Sequence, residues 1–376
     1  MKVPFNRPAG TGRELAYIQE AIQGLRLSGN GAFTRRCQGW LEERVGCRKA
    51  LLTHSCTAAL EMAAILADLQ PGDEVILPSF TFVSTANAFV LRGAVPVFVD
   101  VRGDTWNLDE TRIEAALTER TRAIVPVHYA GVSCGMDKIL EIAERHGLLV
   151  IEDAAQALMS TERGLPVGSR GHLAALSFHE TKNLQCGEGG ALLINDPRFA
   201  ERAEIVWEKG TDRSRFFRGQ VDKYSWVDLG SSFLPSEINA AFLWAQLEDA
   251  EAITRSRLAT WGRYHEAFAD LEAAGRVRRP VIPPDCAHNG HLYCLLVKNL
   301  ETRTAALEGL KARGVQALFH YVPLHSSPAG RRYGRAAGPL PCTEQAADRL
   351  IRLPLWAGMG DEDVARVAEA VVEVVG

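Results

Sequence analysis

Between residues 50 and 195, short apolar runs alternate with longer stretches of helical spacing. The runs fall at residues 50–53, 74–77, 95–99, 123–127, 148–151, 174–178 and 190–194. Several are apolar throughout, as strands covered on both faces are. The pattern predicts an α/β fold with a mostly parallel, seven-stranded central sheet. Residues 58–69 are apolar almost all round, which predicts a buried helix. Further on, a long helix over 237–271 leads to strands at 292–298 and 317–321 and helices at 302–313 and 343–352. Residues 276–289, with three prolines, read as a link. These elements predict a large domain over 1–245 and a smaller C-terminal α+β domain over 246–376.

Composition narrows this picture. At 376 residues the chain is longer than one hydrophobic core usually supports. A net charge of -4 gives no general attraction to nucleic acid or to an anionic membrane, so neither is assigned as a partner. The first ten residues lack an apolar signal region, and nowhere do eighteen apolar residues run together, so a cytoplasmic protein is expected. Eight cysteines without a Cys-x-x-Cys pair read as reduced thiols. Neither a His-x-x-x-His pair nor a paired-carboxylate cluster suggests a metal, and none is assigned. A dinucleotide site is weakly supported, because Ser28-Gly29-Asn30-Gly31 lacks the third glycine of the fingerprint and follows no strand.

Polar residues at the ends of three runs carry the candidate chemistry, since open α/β sheets bind ligands beyond their carboxyl ends. Thr53-His54-Ser55-Cys56-Thr57-Ala58 opens the buried helix with free N–H groups and hydroxyls that suit a phosphate, although Ser and Thr there also serve as helix caps. Asp153 ends the fifth run and calls for a cationic partner. Gln156 lies one helical turn further. Lys182 follows the sixth run, close after Ser177 and before Gly187-Glu188-Gly189-Gly190. A lone loop lysine is ordinarily a solvated charge. An amine that forms a Schiff base and a carboxylate that keeps a pyridine nitrogen protonated are what pyridoxal 5'-phosphate needs, and Lys182 with Asp153 supplies both.

Longer motifs extend that reading: Ser28-Gly29-Asn30-Gly31, Pro71-Gly72-Asp73-Glu74 through Pro78-Ser79-Phe80-Thr81-Phe82, and Phe319-His320-Tyr321-Val322-Pro323-Leu324-His325. With these the chain resembles the DegT/DnrJ/EryC1/StrS sugar aminotransferases, and among them the 4-aminotransferases of nucleotide-linked 4-keto-6-deoxyhexoses. The resemblance implies the pyridoxal-phosphate transferase fold type I. It implies that Lys182 binds the cofactor aldehyde and shuttles the proton, that Asp153 pairs with the pyridine nitrogen, and that Gln156 meets the 3-oxygen. Thr57, the Ala58 backbone and Ser177 would hold the phosphate, and Phe82 would stack on the ring.

The family also implies a homodimer with active sites at the subunit interface, completed through a Gly-Tyr-Asn-Tyr-Arg segment. The matching stretch here is Gly230-Ser231-Ser232-Phe233-Leu234, so the shorter Ser232 stands in the Asn place. Residues 209–223 hold Lys209, Arg213, Arg215, Arg218 and Lys223 with Phe216 and Phe217 between them, a loop that could grip a nucleotide diphosphate. Arg213, Tyr321 and His325 are taken as substrate contacts, His320 and His179 as structural. The expected reaction moves an amino group from L-glutamate to C4 of a dTDP-4-keto-6-deoxyhexose. Family members acting at C3, and non-catalytic cofactor-binding regulators, are the alternatives. Dehydratase relatives carry His in the lysine place, and Lys182 argues against that class.

Overall fold

The computed structural model describes residues 2–376. All seven expected strands form, as β1 (Lys49–Thr53), β2 (Glu74–Pro78), β3 (Val95–Val99), β4 (Thr121–Ile124), β5 (Leu149–Asp153), β6 (Leu173–Ser177) and β7 (Gly190–Ile194). They lie in one sheet in the order β1-β7-β6-β5-β4-β2-β3, and the two-residue strand Arg335–Ala336 beside β3 makes eight. β7 runs antiparallel to both its neighbours and the remaining pairs are parallel. β4 stops short of the expected 127 because Pro126 has no N–H to continue the ladder.

The helix Cys56–Leu66 is buried as its composition predicts, with Ala59, Met62, Ala63 and Ala64 at 0% exposure. It packs on the sheet beside the helix Val83–Val90. Its start lies close to β7, because Gly190 carries no side chain. A Cβ there would come within 2.4 Å of the Cys56 nitrogen. Gly190 also pairs with both Thr53 and Ser177, so these strand ends form one row at the edge of the sheet.

Beyond residue 250 a second core forms. The helices Ala250–Ala267, Leu300–Ala312 and Asp361–Val375 surround a two-stranded antiparallel sheet of Tyr293–Leu296 and Leu350–Leu353. Three expectations change here. The long helix over 237–271 breaks at Asp249 into Glu237–Glu248 and Ala250–Ala267, followed by Ala269–Ala273. Residues 343–352 divide, with helix Pro341–Arg349 giving way to the strand Leu350–Leu353, because that strand finds a partner in Tyr293–Leu296. Residues 317–321 make a single bridge, Leu318 to Arg352, instead of a strand. The rings of His320 and Tyr321 stack 3.5 Å apart, and Pro323 has no donor for a ladder. All eight cysteines are free, and among the described residues no helix is long and apolar enough to cross a membrane.

Candidate active site

The carboxyl ends of β1, β5 and β6 bring Thr53, Asp153 and Ser177 to one side of the sheet. Ser55 is the N-cap of helix Cys56–Leu66, and its hydroxyl accepts from Ala58 N–H at 3.1 Å. The cap reading is therefore correct for Ser55. It leaves the N–H groups of Cys56 and Thr57 without an acceptor among the described residues, at the positive end of the helix. The Thr57 hydroxyl shares a 2.8 Å hydrogen bond with Ser84, so two helix starts, Cys56–Leu66 and Val83–Val90, meet here. Phe82, the residue before the second helix, is 58% exposed, so it is not packed into the core.

Asp153 is buried, and Thr85 donates its hydroxyl to Oδ2 at 2.7 Å. Because a carboxylate accepts, Thr85 itself accepts from Thr81, 2.8 Å away. Oδ1 accepts from Ala155 N–H at 3.2 Å. Gln156 has its orientation fixed by the backbone: Oε1 accepts from Ala130 N–H at 2.7 Å, which leaves Nε2 to donate, and it does so to the Tyr321 hydroxyl at 3.2 Å.

Lys182 is half-buried by area, and its side chain lines a cleft with Gln156, Ser177, Asn183 and His291. Desolvation lowers its pKa below the ordinary lysine value, against the opposing pull of Cys56 and Asp153. The next residue anchors it. Asn183 donates to the Asn289 carbonyl at 2.9 Å and shares a 2.8 Å bond with His291 Nδ1. Asn289 in turn donates to the carbonyls of Gln156 and Leu158 at 2.8 and 2.9 Å. This lacing needs Gly131, whose φ is +82°, because a Cβ there would sit 2.0 Å from Asn289 Oδ1. Burial lowers the His291 pKa well below its usual value, so the ring is neutral.

Across the cleft, Tyr321 stacks with His320 and packs edge-on to Phe80, while His320 Nδ1 lies 3.0 Å from the Tyr129 hydroxyl. The expected site residues thus divide. Asp153, Gln156, Ser177, Lys182 and Tyr321 come together, with Thr57, Ala58 and Phe82 at the helix starts. His325 is held by Ser79, through a 2.8 Å side-chain bond and through its own N–H at 3.0 Å. Arg213 sits over the rings of Phe217 and Tyr224, and Ser232 is an exposed residue paired with Glu208. No hydrogen bond within one chain joins Arg213 or Ser232 to Lys182.

Sequence reasoning missed Thr85, Asn183, Asn289 and His291. Nearness to Phe82 and Lys182 is a signal that could have found the first two, but nothing local marked the others. The expectation that no Gly-x-Ser-x-Gly elbow is present, on which a Ser-His hydrolase is set aside, is wrong: Gly131-Val132-Ser133-Cys134-Gly135 has that spacing. Ser133 is buried and donates to the Cys134 carbonyl at 3.0 Å, so it is not an exposed nucleophile.

A carboxylate ending a central strand, a desolvated lysine one strand over and an open helix start define a pyridoxal-phosphate enzyme of fold type I. The chain belongs to the DegT/DnrJ/EryC1/StrS aminotransferase family, whose model matches residues 8–372. It is 34% identical over 381 residues to the spore coat polysaccharide biosynthesis protein SpsC of Bacillus subtilis, covering 99% of this chain and 97% of that protein. Among solved structures, DesV of S. venezuelae is similar at 32% identity and a TM-score of 0.89, over 99% of this chain and 98% of that one. Spr1654 of Streptococcus pneumoniae, described as a sugar aminotransferase and solved in its PMP form, matches at 26% identity and a TM-score of 0.92, over 99% of each chain. The enzyme is a pyridoxal-phosphate-dependent sugar aminotransferase, and the free N–H groups at Cys56 and Thr57 fit the phosphate of that cofactor.

Proposed function

We propose that the enzyme transfers the amino group of L-glutamate to C4 of a dTDP-4-keto-6-deoxyhexose, with dTDP-4-keto-6-deoxy-D-glucose as the first compound to test, giving a dTDP-4-amino-4,6-dideoxyhexose. The observation that carries the catalytic part is that a desolvated Lys182 amine and the buried Asp153 carboxylate, held by Thr85, stand at the ends of neighbouring strands. The choice of C4 and of dTDP rests on the motif likeness.

When bound, pyridoxal phosphate supplies a carbonyl that takes up the amine and a ring that accepts electron density. Lys182 Nζ, kept more in its neutral, nucleophilic form by desolvation, would hold the cofactor and would carry the proton to and from the substrate carbon. Asp153 would pair with the pyridine nitrogen. Gln156 Nε2, oriented by Ala130, would donate to the 3-oxygen. Thr57, Ser177 and the Ala58 N–H would hold the phosphate, with Ser55 competing for that last donor. Phe82 would cover one face of the ring, which its exposure within one chain suits. Tyr321 and His325 lie on the sugar side.

The proposal includes a homodimer in which Ser232 and Arg213 serve the partner's site. Supporting it, Trp226 at 78% exposure, Phe217 at 65% and Leu229 at 50% make the surface around them apolar. We further propose residues 1–245 as the cofactor-binding unit and 246–376 as the smaller unit, working in the cytoplasm, where free cysteines persist.

Incubation with glutamate and dTDP-4-keto-6-deoxy-D-glucose, with the product's ring proton couplings read by NMR, tests the reading. An amine at C4 is expected; an amine at C3, or no product while another nucleotide ketosugar turns over, refutes it. Sequential use of one pocket predicts parallel lines in double-reciprocal plots.

A further inference from the structure

His291 has every polar atom but one engaged. It comes shortly before the strand Tyr293–Leu296 and is 5% exposed. Its N–H donates to Asn289 Oδ1 at 3.0 Å, and its carbonyl accepts from Arg257 Nη2 at 2.7 Å, so the backbone is clamped from both sides. Its Nδ1 lies 2.8 Å from Asn183 Oδ1. Nε2 forms no hydrogen bond among the described residues, and the ring lines the same cleft as Lys182, Gln156 and Ser177.

The network fixes which ring nitrogen carries the proton. Asn183 Nδ2 donates to the Asn289 carbonyl at 2.9 Å, so its Oδ1 is what faces His291, and Nδ1 must donate to it. A neutral imidazole has a single N–H, which leaves Nε2 with a bare lone pair. The ring is neutral. Burial disfavours a second proton, as do Lys182, Arg257, Arg352 and His320 around it, and no carboxylate among the described residues forms an ion pair with it. The other titratable groups that bear on Lys182 are Cys56 and Asp153, and the Asp153 oxygens are already met by Thr85 and Ala155.

We infer that His291 is a positioning residue for Lys182: Nε2 accepts a hydrogen bond from the Nζ amine whenever that amine is free, which fixes the direction of the amine's own lone pair. A lysine stem of four carbons otherwise lets the nitrogen sample many directions. A neutral acceptor suits this task better than a carboxylate, because an opposite charge favours the ammonium form, which has no lone pair to attack with. Asn183, next in the chain to Lys182, sets the tautomer that makes Nε2 an acceptor. The inference rests on the proposed role of Lys182.

The test uses the full chain freed of cofactor, as wild type, His291→Asn, His291→Gln and Lys182→Ala. An Asn amide reaches only the Nδ1 place, so it keeps the bond to Asn183 and loses the acceptor at Nε2. A Gln amide reaches the Nε2 place, with the opposite result. Pyridoxal phosphate is added, and growth of the visible band follows the C=N bond that forms as water leaves. The Asn variant should capture the cofactor about tenfold more slowly. Its melting temperature should be unchanged, as should its affinity for pyridoxamine phosphate, which has no aldehyde to react. The Gln variant should capture within about threefold of wild type despite a lower melting temperature. Capture at the wild-type rate by the Asn variant, or equal slowing in both variants, would overturn the inference and leave His291 a structural residue. If the Gln variant fails to fold, the Asn variant decides alone, its capture rate set against its pyridoxamine phosphate affinity. Capture by Lys182→Ala at the wild-type rate would instead overturn the role of Lys182 itself.

Discussion

Glu152 and Asp153 are consecutive carboxylates at the end of one strand, and they have opposite fates. Glu152 points to the face where His128 Nε2 lies 2.9 Å away and the N–H groups of Gly168, Arg170 and Gly171 converge on its two oxygens. Cys134 N–H donates to His128 Nδ1, so the ring is oriented to donate from Nε2. Asp153 points to the other face, with one hydroxyl and one N–H as its donors. A carboxylate with every lone pair engaged holds a fold together. One with fewer partners, at the end of its strand, can still bind. The difference lies in strand alternation rather than in chemistry, because successive side chains leave a strand on opposite faces.

The largest effect should come from Lys182, the residue one strand over from Asp153. Lys182→Ala should lower turnover by about 10⁴-fold or more, measured as initial rates, and should abolish the visible cofactor band while leaving the melting temperature of the cofactor-free protein unchanged. Undiminished turnover would remove Lys182 from the mechanism. The two carboxylates should then separate cleanly. Asp153→Asn is expected to cost on the order of 3 kcal/mol in kcat with little change in stability. Glu152→Gln should instead cost about 3 kcal/mol of stability, seen as a lower melting temperature, with the cofactor spectrum retained. Its folded pKa is held below the ordinary value, burial being outweighed by His128 and the glycine N–H groups. That contribution is present above the unfolded value and lost as pH falls through the folded one, so the gap between wild type and Glu152→Gln should narrow in acid. A Glu152→Gln enzyme that is stable and inactive would break the comparison.

Smaller effects sharpen it. Thr85→Val removes the hydroxyl on Asp153 and should slow turnover about tenfold, without the stability loss of Glu152→Gln. The depressed pKa of Lys182 should show in cofactor-free enzyme as uptake of pyridoxal phosphate that persists to lower pH than an ordinary lysine with a pKa near 10.5 allows. Uptake that tracks an unshifted lysine would contradict the desolvation.

The strands and the cofactor pair were legible because each is written locally. The apolar runs of β1 to β7 specify doubly covered strands, and Asp153 and Lys182 each follow such a run. The break at Asp249 was not legible, since the residues on both sides favour helix and the bend is set by packing. Nor was the strand Leu350–Leu353, whose pairing partner lies far away in sequence at Tyr293–Leu296. The same distance hid Asn289 and His291, which reach the cleft only through the folded chain. Arg213 was singled out from a basic loop pattern and Ser232 from the family segment it matches, and no hydrogen bond within a single chain joins either to Lys182.

Alternation along β5 also sets which kinds of genetic change the site tolerates. Deleting one residue within Leu149–Ile151 would shift the register by one, turning every later side chain of the strand to the other face. Glu152 would then face the cleft and Asp153 the His128 side, with composition nearly unchanged and both carboxylates still present. Substitutions at these positions weaken the enzyme by degrees, whereas a single-codon deletion exchanges its two carboxylates at one stroke.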